Sequence, residues 1–141
     1  MTTTRVPADQ RQALSRSVKG TVTFPGDTYY DAARAAWNLA TDQHPAVVVQ
    51  AADARDIEAA VRFASEQGLG VAVQSTGHGV ARPADGGLLL LTGDLQGIEI
   101  DPEARTARIE AGAQWGPVLE KAAPFGLAPL LGSSPGVGAV G

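Results

Sequence analysis

The segment from Ala46 to Gln74 constrains the fold more than any other. Ala46-Val47-Val48-Val49-Gln50 is rich in β-branched residues and too short for a helix, so it reads as a buried strand that Ala51-Ala52-Asp53 ends. From Asp53 or Asp56 to Gln67 the apolar residues Ile57, Ala60, Val61 and Ala64 recur at spacings of three and four. Acids occupy the first turn of this stretch and Gly68 supplies a stop, which predicts an amphipathic helix. Val71-Ala72-Val73-Gln74 is a second short strand. The three pieces make a β-α-β unit with a right-handed crossover.

On either side the signals are weaker. Residues 1 to 40 read as a leader of packing material: a faint helical patch at Gln10 to Ser17, a turn at Phe24-Pro25-Gly26-Asp27, and an alanine-rich helix from Tyr29 to Leu39. Beyond the unit, Leu88 to Thr92, Gly97 to Ile100 and Thr106 to Ala111 read as strands, the last two around the turn Asp101-Pro102-Glu103-Ala104, giving a β-meander. Gln114-Trp115-Gly116-Pro117 opens a helix that runs to about Ala123, and Leu127 to Leu131 reads as a further strand. The fold class is α+β: the β-α-β unit, then a mixed or antiparallel sheet with flanking helices. Trp37 and Trp115 are expected as core anchors, with a ligand contact open for Trp115. Arg55, Glu58, Arg62 and Glu66 are expected on one solvated helix face.

Composition narrows the function classes. A chain of 141 residues holds one domain, or a small domain with a leader. The formal charge is -4 and no basic run exists to neutralise phosphates, so nucleic acid is not an expected partner. There is no cysteine, which excludes disulfides, zinc-thiolate sites, iron–sulfur clusters and a cysteine nucleophile. The opening MTTTRVPADQ lacks the apolar run of a signal peptide and no stretch approaches the roughly 20 apolar residues of a membrane span, so no membrane and a cytoplasmic location are expected. Glycine is the anomaly: 17 residues, crowded into the C-terminal half. The glycine-rich end, with no finished element, reads as part of something longer.

The chemistry concentrates in two glycine stretches. Ser75-Thr76-Gly77-His78-Gly79 follows the second strand, where small neighbours let a planar ligand lie against the backbone while amide N–H groups bind an anion such as a pyrophosphate. An exposed loop histidine with no role is the bland alternative. A metal site is disfavoured, since His44 is the one other histidine and no H-x-x-x-H spacing exists. Residues 132 to 141 form the second stretch. Gly136-Val137-Gly138-Ala139-Val140-Gly141 fits the letters of the dinucleotide fingerprint, but no helix is seen to follow it. A phosphate loop ending in G-K-[ST] is absent, and no Ser-His-Asp arrangement can be inferred. Two glycine loops at strand ends favour a phosphate-bearing cofactor.

From about Pro45 to Gly141 the chain resembles the FAD-linked oxidases of the vanillyl-alcohol-oxidase and berberine-bridge-enzyme type, with their PCMH-type FAD-binding fold. The resemblance rests on the unit Ala46 to Val73, the loop Gln74 to Gly79, Asp94-Leu95-Gln96-Gly97-Ile98-Glu99-Ile100-Asp101-Pro102, the run from Thr106 to Leu119, and Gly132-Ser133-Ser134-Pro135-Gly136-Val137-Gly138, in that order. It divides the chain into a leader, 1–40, and the first part of the FAD-binding domain, 41–141. It implies an FAD-dependent oxidoreductase that passes hydride from a small-molecule substrate to flavin N5, with molecular oxygen reoxidising the flavin. The FAD-binding residues it implies are Ser75, Thr76, Gly77, His78, Gly79, Gly132, Ser134, Gly136, Gly138 and Gly141. In the family the histidine of an R-S-G-G-H-S-like loop is joined to the 8α carbon of the flavin ring, which implies that His78 carries FAD covalently; non-covalent binding stays open. Gln74, Thr76 and Gly79 stand here where Arg, Gly and Ser are usual. Ser134 stands where many members place a second, cysteinyl attachment, and a hydroxyl cannot form that thioether. The substrate walls and catalytic base belong to a later domain in the family, so the resemblance names no catalytic residue and implies an inactive fragment. The other reading is a small α/β module that binds a different phosphate-bearing ligand without redox chemistry.

Overall fold

The computed structural model describes residues 6–130 and 132–140. In order they form α1 (Ala8–Ser17), β1 (Thr21–Thr23), α2 (Tyr30–Ala33), β2 (Val47–Gln50), α3 (Ala54–Gln67), β3 (Val71–Gln74), β4 (Leu88–Leu91), β5 (Ile98–Asp101), β6 (Thr106–Ile109), α4 (Trp115–Ala122) and a 3₁₀ turn (Ala123–Phe125). The β-α-β unit is present, and its ends are chemically specified. The Asp53 side chain caps α3 by accepting from the N–H groups of Arg55 and Asp56, and Gly68 closes the helix at φ 65°.

The two strands of the unit are not neighbours. The main sheet has the order β1-β2-β4-β3, with β4 parallel to both β2 and β3 and β1 antiparallel to β2. Val47-Val48-Val49 and Leu88-Leu89-Leu90 are buried on both faces, as continuous apolar runs in a parallel sheet should be. One face packs Val47, Val49, Leu88 and Leu90 against Leu14 of α1 and Ala60, Phe63 and Ala64 of α3. The opposite face packs Val48 and Leu89 with Tyr30 and Ala84, alongside Ala72. A third, smaller core joins Ile98, Ala113 and Val118, where α4 meets the antiparallel hairpin β5–β6.

Several expectations need correction. The meander reduces to the β5–β6 hairpin, because Leu88–Leu91 is claimed by the parallel sheet. The helix expected over Tyr29 to Leu39 is a single turn, and the chain then runs irregularly to Gln43. No strand forms over residues 127–130, where Leu130 is exposed; Leu131 lies outside the described residues. The start of that segment is tied back to α4 instead, with Leu127 N–H donating to Ala122 O at 3.3 Å. The first forty residues also supply β1, a strand too short and polar to show periodicity.

Asp56 ties this early segment to the core. Its buried carboxylate accepts from the N–H groups of Lys19 (2.8 Å), Gly20 (2.9 Å) and Ala52 (2.8 Å). Burial pushes the carboxyl up, but the backbone N–H groups of Ala52, Lys19 and Gly20 outweigh it and hold the group below its ordinary value.

Candidate functional site

In a parallel sheet the ligand crevice lies beyond the carboxyl ends of the strands. Edge strand β3 ends at Gln74, and 75–79 turns there over the face that carries Ala72 and Leu89. Residues 132, 133, 137 and 138 come to the same place from the far end of the chain. Between them lies an open groove of about 430 Å³, whose walls include Ser75, Thr76, Gly77, His78, Gly79, Gly132 and Gly138. The two glycine stretches therefore share one crevice. Ser134 and Gly136 lie in a bend outside its walls, where Gly136 N–H donates to Ser134 Oγ at 3.3 Å. Gly141 lies outside the described residues.

Each stretch is held by a different device. Gly77 sits at φ 73°, and a Cβ there would lie 2.9 Å from both Ala36 Cα and Trp37 N. Only glycine fits so tight a crossing without moving backbone. Gly77 O accepts from the N–H of Asn38 at 3.4 Å. Below this crossing Gln74 and Gln43 form a buried amide pair: Gln43 Nε2 donates to Gln74 Oε1 (2.9 Å) and Arg34 O (2.8 Å). Gln74 Nε2 donates to Ala35 O at 3.1 Å, and Gln43 Oε1 accepts from Ala84 N–H. Every buried amide atom in the pair has a partner, which fixes the end of β3 against residues 34–43. Arg34 braces that segment from outside through Asp31, Asp42 and Gln43 O. Its hydrogen bond holds the Asp42 carboxyl below its usual range and the guanidinium above its own.

The second stretch caps a helix. The first N–H groups of α4 have no partner within the helix, and the Gln114 side chain provides none. Instead Trp115 N–H donates to Val137 O (3.2 Å) and Gly116 N–H to Pro135 O (2.9 Å), while Pro117 next in line has no N–H. A bridge pairs Gln114 with Gly138, and Ala139 N–H reaches Ala113 O at 2.8 Å.

Three observations show that the residues of this groove suit FAD. The Ser75 hydroxyl is buried and has no hydrogen-bond partner among the described residues, so it is available to a ligand. Thr76, Gly77 and Gly79 have backbone N–H groups with no protein acceptor among the described residues, apt for a phosphate. No carboxylate lines the groove, whereas Arg82 does. Among the described residues no group of acids and histidines could hold a metal ion.

Trp37, Gln43 and Arg82 were not anticipated. Trp37 was expected in the core but is 70% exposed, with its ring centroid 4.7 Å from that of His78. Trp115 is half-buried against the small core, as expected of an anchor. Gln43 and Arg82 carry no motif; only the fold brings them to the groove.

Comparison with known proteins agrees with this geometry. The family model for an FAD binding domain matches residues 45–141. (R)-6-hydroxynicotine oxidase of Paenarthrobacter nicotinovorans is 35% identical over 131 residues, 92% of this chain and 29% of that protein. The crystal structure of 6-hydroxy-D-nicotine oxidase from Arthrobacter nicotinovorans superposes with a TM-score of 0.77 at 35% identity, over 86% of this chain and 27% of that one. Xylooligosaccharide oxidase from Myceliophthora thermophila C1, solved with xylobiose, gives a TM-score of 0.78 at 27% identity, over 94% of this chain and 29% of that one. The chain thus spans under a third of the length of these relatives. With the family model covering most of the chain and the α+β, PCMH-type fold shared with solved flavoproteins, this chain belongs to the FAD-binding domain family.

Proposed function

We propose that the chain is the flavin-binding part of an FAD-dependent oxidoreductase, and that the groove between 75–79 and 132–138 holds the cofactor. The observation that carries the reading is the convergence of two glycine stretches, far apart in sequence, on one crevice at the carboxyl end of a parallel sheet. Thr76, Gly77 and Gly79 would present backbone N–H groups to the pyrophosphate, and the Ser75 hydroxyl would donate or accept at the same ligand. On the facing wall Gly132 and Gly138 carry no side chains and leave backbone exposed beside Ser133 and Val137. When bound, FAD supplies a two-electron acceptor for a small-molecule substrate, with molecular oxygen as the terminal acceptor.

His78, exposed on the groove wall, is the residue proposed to carry the flavin through a covalent bond from its ring. Ser134 offers no thiol for a second bond, so the tether is single. The FAD-family match favours this reading over a module for another phosphate-bearing ligand.

The test is purification of the full-length protein followed by acid precipitation. Flavin absorbance is expected to stay with the pellet and to move to the supernatant in His78→Ala. Yellow retained in the pellet of that variant overturns the tether; a colourless protein that takes up no FAD overturns the flavin assignment itself.

A further inference from the structure

The segment 35–38 touches the His78 loop at three points. Gln74 Nε2, at the base of the loop, donates to Ala35 O. Gly77 lies against Ala36 Cα and Trp37 N too closely for any side chain. Asn38 N–H donates to Gly77 O. These three contacts register the two backbones, and the register brings the indole of Trp37 to the imidazole of His78, centroids 4.7 Å apart with the planes inclined by 31°. That distance and tilt belong to a favourable aromatic pair. Trp37 is otherwise 70% exposed and contributes to none of the buried clusters. A large aromatic side chain placed on the surface, whose ring contact is a histidine on the groove, is not explained by core packing.

We propose that Trp37 is the positioning residue of His78: its indole covers one face of the imidazole and holds the ring in one orientation at the groove, while the other face stays open. Trp37 lies outside residues 45–141, the part matched by the FAD-binding family model, so the positioning element comes from the segment that precedes that domain. His78 is flanked by Gly77 and Gly79, which have no side chains to restrain its rotamers. A ring that samples several orientations presents its nitrogen to a bound ligand for a smaller fraction of the time. The consequence for cofactor attachment rests on the proposed tether; the packing of the two rings does not.

The experiment uses full-length protein from riboflavin-starved cells, in its flavin-free form, as Trp37→Ala, Trp37→Leu, Trp37→Phe and, as a control, Leu39→Ala. Leu39 is 81% exposed and is not among the residues that line this groove, so its variant sets the baseline. Diethyl pyrocarbonate labelling, read by peptide mass spectrometry, gives the reactivity of His78 relative to His44. Added FAD then gives the rate at which acid-stable flavin appears. In the alanine and leucine variants His78 labelling is expected to rise about threefold against His44, the scale of one lost aromatic contact, with phenylalanine restoring it and Leu39→Ala unchanged. Attachment is expected to slow in the same two variants. Unchanged His78 labelling in both overturns the proposal, even if attachment slows, because the indole would then be acting on the ligand rather than on the ring. Raised labelling in a protein that never forms acid-stable flavin supports the proposal and overturns the tether instead.

Discussion

The two glycine stretches of the groove are built in opposite ways. Residues 75–79 are located from a distance in sequence: the buried amides of Gln43 and Gln74 and the backbone of 36–38 set their position. Residues 135–139 are located by backbone hydrogen bonds to the nearby start of α4, which use the tail as a helix cap. The first wall therefore depends on particular side chains and on an exact lack of one at Gly77. The second depends on main-chain geometry that many sequences could supply. Substitutions should be read unequally on the two sides of the same crevice.

The largest expected effect breaks the first wall. Gly77→Ala places a Cβ 2.9 Å from two backbone atoms at a positive φ, so strain and overcrowding add. A loss of roughly 2–4 kcal/mol in unfolding free energy of the full-length protein is expected, with loss of bound flavin. Its neighbour provides the contrast: a Cβ at Gly79 meets nothing within 4 Å, so Gly79→Ala should stay within about 0.5 kcal/mol of the parent in denaturant titration. Equal effects at the two positions would show that the crossing with 36–38 is not what locates the loop.

Asp56→Asn weakens the scaffold that both walls share. An amide cannot satisfy three backbone N–H donors as the carboxylate does, so a loss of about 2–3 kcal/mol is expected near neutrality. The sign of the pH dependence follows from the lowered carboxyl. The contribution of the ionised group is complete above the ordinary carboxylate value and is lost as pH falls through the lower, folded value. The gap between parent and variant should therefore narrow below about pH 4 in urea titrations. Flavin bound per folded molecule should not change, because Asp56 is far in function from either wall; selective loss of flavin would contradict that.

Gly132→Ala probes the second wall. Here the Cβ would approach Trp115 Nε1 at 2.9 Å and Val137 Cγ2 at 3.1 Å, side-chain atoms rather than the backbone met at Gly77. The cost should be about 1 kcal/mol, well short of Gly77→Ala, in the same denaturant series. A larger loss at Gly132 than at Gly77 would invert the comparison.

What the sequence disclosed follows the same division. The β-α-β unit was legible because its periodicity and caps are local: Asp53 and Gly68 stand at the ends of α3 where the pattern places them. The groove was legible in outline because glycine stretches mark where backbone is exposed, and both contribute to it. The insertion of β4 between β2 and β3 was hidden, because Leu88-Leu89-Leu90-Leu91 looks alike in a meander and in a parallel sheet. Trp37 was hidden for a related reason. Periodicity assigns an aromatic residue to the core by default, and only the register of 35–38 against Gln74 and Gly77 turns it toward His78.

The smallest effect is the most diagnostic of the first wall. Ser75 Oγ is buried beside the groove without a hydrogen-bond partner among the described residues. Ser75→Ala removes that group. Thermal unfolding of the flavin-free protein should be unchanged or slightly raised, by no more than about 1 kcal/mol, while affinity for FAD falls by a hydrogen bond's worth, up to roughly tenfold. The two measurements move in opposite directions only if the hydroxyl is reserved for a ligand. A variant that loses stability without flavin and binds FAD as before would mean that Ser75 serves the loop itself, and the first wall would then be held from within as well as by the segment that crosses it.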